Sequence, residues 1–372
     1  MIYLDNAATT FPKPKSVIKT ATECISKYCG NSGRGSHKLS IKTSEKIYEV
    51  RERIAGLVGI NTPENVVFTQ NATHALNIAI KTTVEPNSHV LISDLEHNSV
   101  LRPLHALKCR IGIEYSIFST NGNVKENIEK CIKENTSCII STLASNVIGR
   151  QIPFSTLSEI SLERGIPIII DASQLIGHKA LSLENIGPCI LCAPSHKALF
   201  GIQGSGFLIF NDGKKHETLF EGGSGNDSLN PDMPDLLPER FEAGTLSAPS
   251  IISLGAGIKF VEETGFLDIE EKLCALTDKC ASAIDAIKNT VLYEYGNGVI
   301  SFNIIGVPGE VVASELDKYG ICVRSGLHCA PLAHKSIGTV GIGTVRVSLS
   351  YLNKIHEIDT FYKALKCISN IR

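Results

Sequence analysis

Hydrophobic and polar residues between positions 43 and 290 follow two alternating patterns. Short apolar runs rich in Ile, Val and Leu alternate with segments in which apolar residues recur every three or four positions. This alternation is typical of a mostly parallel sheet that has helices on both faces. The predicted strands are residues 65–69, 89–93, 137–143, 167–171, 189–193 and 206–210.

The pattern changes beyond residue 262, where a long helical segment precedes short strands at residues 299–304, 321–325 and 343–349. These elements predict a second, smaller lobe of the α+β type. Residues 221–244 are rich in Gly, Asp, Pro and Asn and show little periodicity. We expect them to form a long excursion from the core, of the kind that often serves a site or a subunit contact.

The charge balance of the 372-residue chain argues against nucleic acid as a partner. Its 38 acidic and 36 basic residues leave a net charge of -2, and neither sign forms a long block. No apolar run approaches the ~18 residues of a bilayer span, and the start MIYLDNAATT lacks the features of a signal peptide. The 12 cysteines are scattered, which predicts reduced thiols. We expect a cytoplasmic protein that binds no membrane.

Lys197 is the first candidate for chemistry. It directly follows a predicted buried strand, whereas lysines are usually solvated at the surface. Gly201, Gly204 and Gly206 come next and would let the backbone turn tightly beside a bound group. Ligands of open α/β sheets gather outside the carboxyl ends of the strands, which is where Lys197 is expected.

Other predicted strands also end in polar residues. Asp171 ends an Ile-rich run and Gln174 follows on the next turn. A carboxylate here can pair with a pyridinium nitrogen, because a desolvated cation needs a fixed counter-charge; the alternative is an ordinary helix N-cap. His97 and Asn146 follow two further strands, where they could contact a bound ring or serve only as turn residues.

A helix is predicted to begin near Ala72, since the segment after the strand at residues 65–69 turns to a helical pattern. The free backbone N–H groups of a helix start readily hold a phosphate. The Thr73 hydroxyl would add a donor to them; the alternative is that Thr73 caps the helix and serves only local structure.

Several motifs in their order along the chain resemble the class V aminotransferase family, and within it the cysteine desulfurase and selenocysteine lyase branch. The resemblance covers nearly the whole chain. Its motifs are YLDNAATT at 3–10, NSGRGSH at 31–37, EHNS at 96–99, SNVIG at 145–149, DASQ at 171–174, SHK at 195–197, RFEAGT at 240–245 and RSGLHCA at 324–330.

The resemblance implies the α/β architecture called fold type I, with a seven-stranded type of sheet in a large cofactor-binding domain at residues 13–255. Residues 1–12 and 256–372 would form the small α+β domain. The implied cofactor is pyridoxal 5'-phosphate, bound to Lys197 as a Schiff base. The implied cofactor contacts are Asp171 on the pyridine nitrogen, Gln174 and Asn146 near the phenolate, His97 stacked on the ring, and Ala72, Thr73, Ser195 and His196 at the phosphate, completed by Thr245 from the other subunit of a homodimer.

The resemblance also implies how a substrate is held. Arg346 matches the family arginine that grips the substrate carboxylate, which suits a bidentate guanidinium; the alternative is an ordinary surface ion pair. The other implied substrate-side residues are Ala8, His37, Asn146 and Arg324. No metal site is expected, because Cys189 and Cys192 form a C-x-x-C pair inside an apolar strand and have no second pair.

Cys329 determines the expected reaction. It matches the family cysteine that becomes a persulfide, and it lies beside Arg324 and His328, two potential cations that would favour a thiolate. Its short loop resembles the second group of desulfurases, whose members generally pass sulfur to a dedicated acceptor protein. The implied activity is conversion of L-cysteine to L-alanine, with Lys197 moving the Cα proton and His97 assisting later proton transfers.

Three alternatives stay open at this stage. The first is selenocysteine lyase, with L-selenocysteine as the substrate. The second is another pyridoxal-phosphate reaction, such as β-elimination, transamination or epimerisation, in which Cys329 is a bystander. The third is a non-enzymatic sulfur-trafficking or scaffold protein that has kept the fold.

Three residues depart from the family pattern. Pro194 replaces a usual phosphate-binding Ser or Thr, which bears on one phosphate contact. His74 replaces a frequent glutamate and Leu327 replaces a histidine of some desulfurases, and both bear on substrate preference.

Overall fold

The computed structural model describes residues 1–33, 35–225 and 229–369, which form 13 strands and 11 α-helices. Arg34 of the NSGRGSH motif and residues 226–228 of the predicted excursion lie outside the described residues. The strands are β1 (Ile2–Tyr3), β2 (Val66–Thr69), β3 (His89–Ser93), β4 (Glu114–Phe118), β5 (Thr136–Thr142), β6 (Ile168–Asp171), β7 (Cys189–Pro194), β8 (Gly206–Asn211), β9 (Thr290–Gly296), β10 (Val299–Ile304), β11 (Ile321–Cys322), β12 (Arg324–Gly326) and β13 (Thr344–Ser348).

The helices lie between these strands and after them. They are α1 (Lys15–Lys27), α2 (Lys38–Leu57), α3 (Ala72–Thr83), α4 (Asn98–Ile111), α5 (Val124–Glu129), α6 (Phe154–Arg164), α7 (Ala248–Thr264), α8 (Phe266–Asp285), α9 (Gly309–Lys318), α10 (Pro331–Ser336) and α11 (Ile355–Ile368). No helix within the described ranges combines the length and apolar character that crossing a membrane requires.

Seven strands form the central sheet in the order β2-β8-β7-β6-β5-β3-β4. All neighbours are parallel except β8, which pairs antiparallel with both β2 and β7. The inner strands of the sheet are buried along almost their whole length, which explains their continuous apolar sequence. The predicted fold class, a mostly parallel sheet with a smaller α+β part, is confirmed.

The predicted strand at 321–325 is two strands in different sheets. Residues Ile321–Cys322 pair with β1, whereas Arg324–Gly326 pair with β13 at the edge of a four-stranded sheet of order β12-β13-β10-β9. Strands β1, β4 and β9 were not predicted. Strand β1 has only two residues, and β4 and β9 are edge strands with exposed positions, so their sequences lack the apolar runs of the buried strands.

The two faces of the central sheet are covered by separate clusters of buried residues, and a third cluster joins Leu4 to apolar residues from 273 to 368. The amino-terminal segment therefore packs with the carboxyl-terminal part, as the predicted division at 1–12 and 256–372 requires; the boundaries themselves stay a prediction. Cys189 and Cys192 belong to opposite faces of the central sheet, because residues three apart on a strand point to opposite sides. The two thiols do not face each other.

Candidate active site

A cavity of about 110 Å³ lies where the carboxyl ends of β5, β6 and β7 meet the first turns of α3 and α4. Parallel neighbours end at the same edge of a sheet, so residues that are far apart in sequence converge there. The predicted site residues that line the cavity are Ala72, Thr73, His97, Asn146, Asp171, Gln174, His196 and Lys197. Among the described residues, no group of three His, Cys, Asp or Glu side chains could hold a metal ion.

Lys197 follows β7, and its backbone carbonyl accepts a hydrogen bond from Thr10 Oγ1 at 2.8 Å. Its side chain is mostly enclosed and opens onto the cavity. Desolvation lowers the pKa of its amine to about 8; Asp171 raises this pKa, and Arg346 lowers it. A substantial fraction of the amine is therefore neutral near pH 8, as a nucleophile or general base must be.

Asp171 ends β6 and is buried against the cavity. One carboxylate oxygen, Oδ1, accepts a hydrogen bond from the backbone N–H of Ser173 at 2.9 Å. The helix N-cap alternative is wrong, because turns rather than a helix follow Asp171, and this contact belongs to a local turn. It occupies only part of the acceptor capacity of a carboxylate, and the charge of Asp171 acts on both Lys197 and His97.

The start of α3 presents backbone donors to the cavity. Asn71, rather than Thr73, is the N-cap residue: Asn71 Oδ1 accepts from His74 N–H at 2.9 Å. The capping alternative for Thr73 is wrong, and Thr73 lies in the first helical turn. The N–H groups of Ala72 and Thr73 belong to the first turn, which has no intrahelical acceptors, so they can receive an anion.

Gly206 lets the start of α3 approach the central sheet closely. A Cβ atom at Gly206 would lie 2.7 Å from the carbonyl carbon of Asn71, 2.9 Å from the backbone nitrogen of Ala72 and 2.8 Å from the carbonyl oxygen of Ala193. No side chain fits there without moving backbone. The position of the helix start over β7 therefore depends on this glycine.

His196 faces the same region, and its Nδ1 is buried without a hydrogen-bond partner. Desolvation lowers the pKa of its imidazole to about 4, and the nearby Lys197 and Lys13 lower it as well. Lys13 Nζ donates to the His196 carbonyl at 2.8 Å. His196 is thus a neutral ring with a free polar atom, ready to bind a further polar group.

His97 caps α4 and lines the cavity. Its Nδ1 accepts from Ser99 N–H at 3.1 Å and lies 2.8 Å from Ser99 Oγ. Burial lowers the pKa of the imidazole, and the Asp171 charge opposes this shift. The capping contact fixes the ring plane, so the structural role and a ring-contacting role coexist in one side chain.

The loop with Cys329 is attached to the cavity wall through its backbone. Asn98 N–H donates to the Cys329 carbonyl at 2.7 Å, and Asn146 Nδ2 donates to the His328 carbonyl at 2.7 Å. Cys329 itself is exposed. The expectation that His328 is a cation beside this thiol is wrong, because burial and the Arg346 charge lower the pKa of His328 to about 2.

Arg346 and Arg324 share one carboxylate, Asp5. Arg346 is 2% exposed and donates from Nη2 to Asp5 Oδ1 at 2.7 Å and from Nη1 to the Asn146 carbonyl at 3.0 Å. Its Nε is buried without a partner. Arg324 is half exposed and lies 2.9 Å from Asp5 Oδ2. The alternative of a surface ion pair is wrong for Arg346, because its pair with Asp5 is buried, and its Nε has no partner.

Besides Cys329, Arg324 and Arg346, four further predicted residues do not line the cavity of their own chain. Ala8 lies in the amino-terminal segment, His37 caps α2 through Ser40 N–H, and Thr245 is exposed. Ser195 is fully buried, and its hydroxyl lies 2.8 Å from the carbonyls of Ile202 and Ser205. The Ser195 hydroxyl therefore serves the local turn rather than the cavity.

Sequence reasoning missed two acidic residues beside the site. Asp5 stands in the quoted YLDNAATT motif, but nothing in one sequence indicates that it joins Arg324 and Arg346. Glu96, in EHNS, is fully buried and accepts from Thr142 N–H at 2.8 Å and from the Ser93 hydroxyl. Its Oε2 has no partner, and burial raises its pKa to about 8.

The family model described as aminotransferase class-V matches residues 2–361. The chain belongs to this family. The cavity is lined by a lysine that follows a strand and by a neighbouring buried carboxylate, so the site geometry agrees with the family. The predicted family membership is confirmed.

The similar proteins described next are all named cysteine desulfurases. A "probable cysteine desulfurase" of Methanothermobacter thermautotrophicus is 32% identical over 384 residues, covering 100% of this chain and 95% of the relative. A "cysteine desulfurase" of Escherichia coli O8 is 28% identical, covering 100% and 94%. The apo structure of a cysteine desulfurase from Thermococcus onnurineus NA1 has a TM-score of 0.90 at 29% identity, covering 99% of this chain and 94% of that one.

Proposed function

We propose that this chain is a pyridoxal-phosphate-dependent cysteine desulfurase that converts L-cysteine to L-alanine and receives the sulfur on Cys329. The observation that carries the proposal is the attachment of the Cys329 loop to the cavity wall through Asn98 and Asn146. Lys197 and Asp171 would suit many reactions of the family. A cysteine in a loop held at the cavity wall supports sulfur transfer in particular.

The described residues fit pyridoxal 5'-phosphate. The first-turn N–H groups of α3, the Thr73 hydroxyl and the unpartnered Nδ1 of His196 suit the phosphate. Asp171 suits the pyridine nitrogen, His97 the ring face, and Asn146 and Gln174 its phenolate side. When bound, the cofactor supplies an electron-withdrawing ring that stabilises negative charge at the substrate Cα.

Lys197 is the residue proposed to attach the cofactor and to move the Cα proton. Its neutral amine is accessible near pH 8, because the enclosing protein lowers its pKa. Arg346 is proposed to hold the substrate carboxylate through the donor that no protein atom occupies. The Cα–H bond would then lie near the amine, which is the geometry that proton transfer requires.

Cys329 is proposed to attack the substrate sulfur as a thiolate. The new S–S bond forms as the Cβ–S bond breaks, and the electron pair of the broken bond remains on carbon, where a proton completes the methyl group of alanine. The sulfur is oxidised to the sulfane level and the carbon is reduced, so no outside oxidant is needed. The exposure of Cys329 supports later transfer of the persulfide sulfur to a thiol of an acceptor protein.

The test is a product balance. Purified protein loaded with cofactor is incubated with L-cysteine and a thiol reductant, and alanine and sulfide are quantified for wild type, Cys329→Ala and Lys197→Ala. Equal amounts of both products, lost in both variants, support the proposal. Cys274→Ala, which removes another exposed thiol, is the matched control and should behave as wild type.

The same assay separates the alternatives. Sulfide accompanied by pyruvate instead of alanine would contradict desulfuration and favour elimination. Release of selenium from L-selenocysteine by Cys329→Ala, without release of sulfur from L-cysteine by wild type, would favour the lyase. An L-cysteine reaction untouched by Cys329→Ala would remove the cysteine from the mechanism.

We also propose a homodimer in which Thr245 reaches the cofactor phosphate of the partner subunit. Thr245 is exposed and outside the cavity of its own chain, while the buried pair of Arg51 and Glu242 fixes the segment that leads to it. Leu236 in this region is a large apolar side chain that is 75% exposed, which suits a surface that a partner subunit would cover. Sedimentation velocity should show a dimer that Leu236→Asp weakens; a fully active monomer would contradict this.

A further inference from the structure

The loop that presents Cys329 has an unusual backbone. His328 and Cys329 have φ angles of 48° and 58°, so two consecutive residues with side chains adopt the left-handed conformation. This conformation is unfavourable for residues other than glycine and persists only where surrounding contacts hold it. Contacts with the surrounding protein must therefore hold this loop in its conformation.

His328 supplies several of these contacts. Its ring is buried, and Nε2 lies 3.2 Å from the Thr344 carbonyl and 3.1 Å from Thr344 Oγ1 on β13. A carbonyl oxygen only accepts hydrogen bonds, so Nε2 carries the proton. Its own carbonyl accepts from Asn146, and the ring lies 5.7 Å from that of His334. One residue thus connects the loop to the small sheet and to the cavity wall.

The His328 ring is uncharged near neutral pH and has one nitrogen without a partner. Burial and the positive charge of Arg346 lower its pKa to about 2, and its Nδ1 is buried without a partner. Leu327 and Cys329, on either side, are both exposed. Of these three consecutive residues, His328 is the one that packs inward.

We infer that His328 is a positioning residue that holds the Cys329 loop in a preformed place beside the cofactor cavity, an inference that rests on the proposed function. The thiol has to meet the substrate sulfur in line with the Cβ–S bond. An error of about 1 Å in such an arrangement can cost about 100-fold in rate. Contacts with Thr344 and Asn146 hold the loop at the cavity wall.

The informative variant is His328→Asn, because asparagine tolerates the left-handed conformation while the ring contacts are lost. We expect alanine formation from L-cysteine to fall at least about 10-fold in kcat, with KM little changed. β-Chloroalanine is the second substrate, since its chloride leaves without help from a thiol. Its elimination to pyruvate should stay within about twofold of wild type.

Leu327→Asn is the matched control, because it places the same side chain at the exposed neighbouring position. It should leave both reactions near wild type. Retention of the L-cysteine reaction in His328→Asn would overturn the inference. Equal loss of both reactions would also overturn it, because it would assign His328 to the general fold of the site.

Amide hydrogen exchange tests the loop without any reaction. Asn98 N–H donates to the Cys329 carbonyl, so release of the loop should speed exchange in the peptide that contains Asn98. We expect faster exchange in His328→Asn and a wild-type exchange rate in Leu327→Asn. An unchanged rate in both variants would contradict the anchoring role. If wild type forms no alanine from L-cysteine, the proposed function fails, while this measurement still decides whether His328 holds the loop.

Discussion

Asp5 and Arg346, 341 positions apart in the chain, form a buried ion pair in which Oδ1 and Nη2 lie 2.7 Å apart. The pair joins the amino-terminal segment to β13 of the small sheet. Arg346 in turn donates to the carbonyl of Asn146, which lines the cavity. One ion pair therefore links three distant parts of the chain at the place where a substrate carboxylate is proposed to bind.

Asp5→Asn should destabilise the protein and weaken substrate binding. Removing one partner of a buried ion pair leaves an uncompensated charge, which typically costs about 3–5 kcal/mol. The free energy of unfolding from chemical denaturation checks the first effect, and KM for L-cysteine checks the second. Asp232→Asn, at an exposed position, is the control; a change in Asp5→Asn no larger than in this control would refute the prediction.

Glu96→Gln should change how stability depends on pH. Burial raises the pKa of Glu96 from 4.5 to about 8, so the folded protein keeps this proton between those values while the unfolded chain releases it. The contribution of this group to the free energy of unfolding is full below pH 4.5 and falls as the pH rises to about 8, by on the order of 5 kcal/mol. Denaturation at several pH values should show a flatter dependence in Glu96→Gln.

The control for this pH series is Glu45→Gln, which removes an exposed carboxylate. Its pH dependence should parallel that of wild type. If Glu96→Gln also parallels wild type between pH 5 and 8, the Glu96 carboxyl group is not protonated in the folded protein.

Lys197 should react with pyridoxal phosphate at lower pH than surface lysines do. Desolvation lowers its pKa to about 8, whereas ordinary lysines titrate near about 10.4, and only the neutral amine attacks an aldehyde. Borohydride trapping in the apo protein, quantified by peptide mass spectrometry, should give a midpoint near pH 8. Asp171→Asn should move the midpoint lower, because the Asp171 charge raises the Lys197 pKa; a midpoint near that of surface lysines would disprove the shift.

Gly206→Ala should weaken cofactor binding. The added Cβ would meet backbone atoms of Asn71, Ala72 and Ala193 at 2.7–2.9 Å and displace the start of α3. Overpacking of this kind typically costs about 1–3 kcal/mol, so a dissociation constant raised by about 10-fold is expected from fluorescence titration of the apo protein. Gly341→Ala, where an added Cβ meets nothing within 4 Å, should bind as wild type does.

The buried strands of the central sheet were predictable, because strands covered on both faces must be apolar throughout and their sequences show it. The edge strands β4 and β9 were not, because an edge strand keeps exposed polar positions. The single predicted strand at 321–325 divides between two sheets for a related reason: local apolar content does not specify the pairing partner.

The sequence by itself determined the family, the parallel α/β class and the candidates at strand ends, because motif order, apolar runs and strand-end polarity are all local properties. Only the tertiary structure decided which polar atoms were already occupied. It assigned the cap of α3 to Asn71, turned Ser195 towards Ile202 and Ser205, and made His328 a neutral buried anchor. Hydrogen-bond partners and desolvation depend on which distant segments of the chain come together. Folding brings these segments together, and a local sequence pattern does not specify which ones meet.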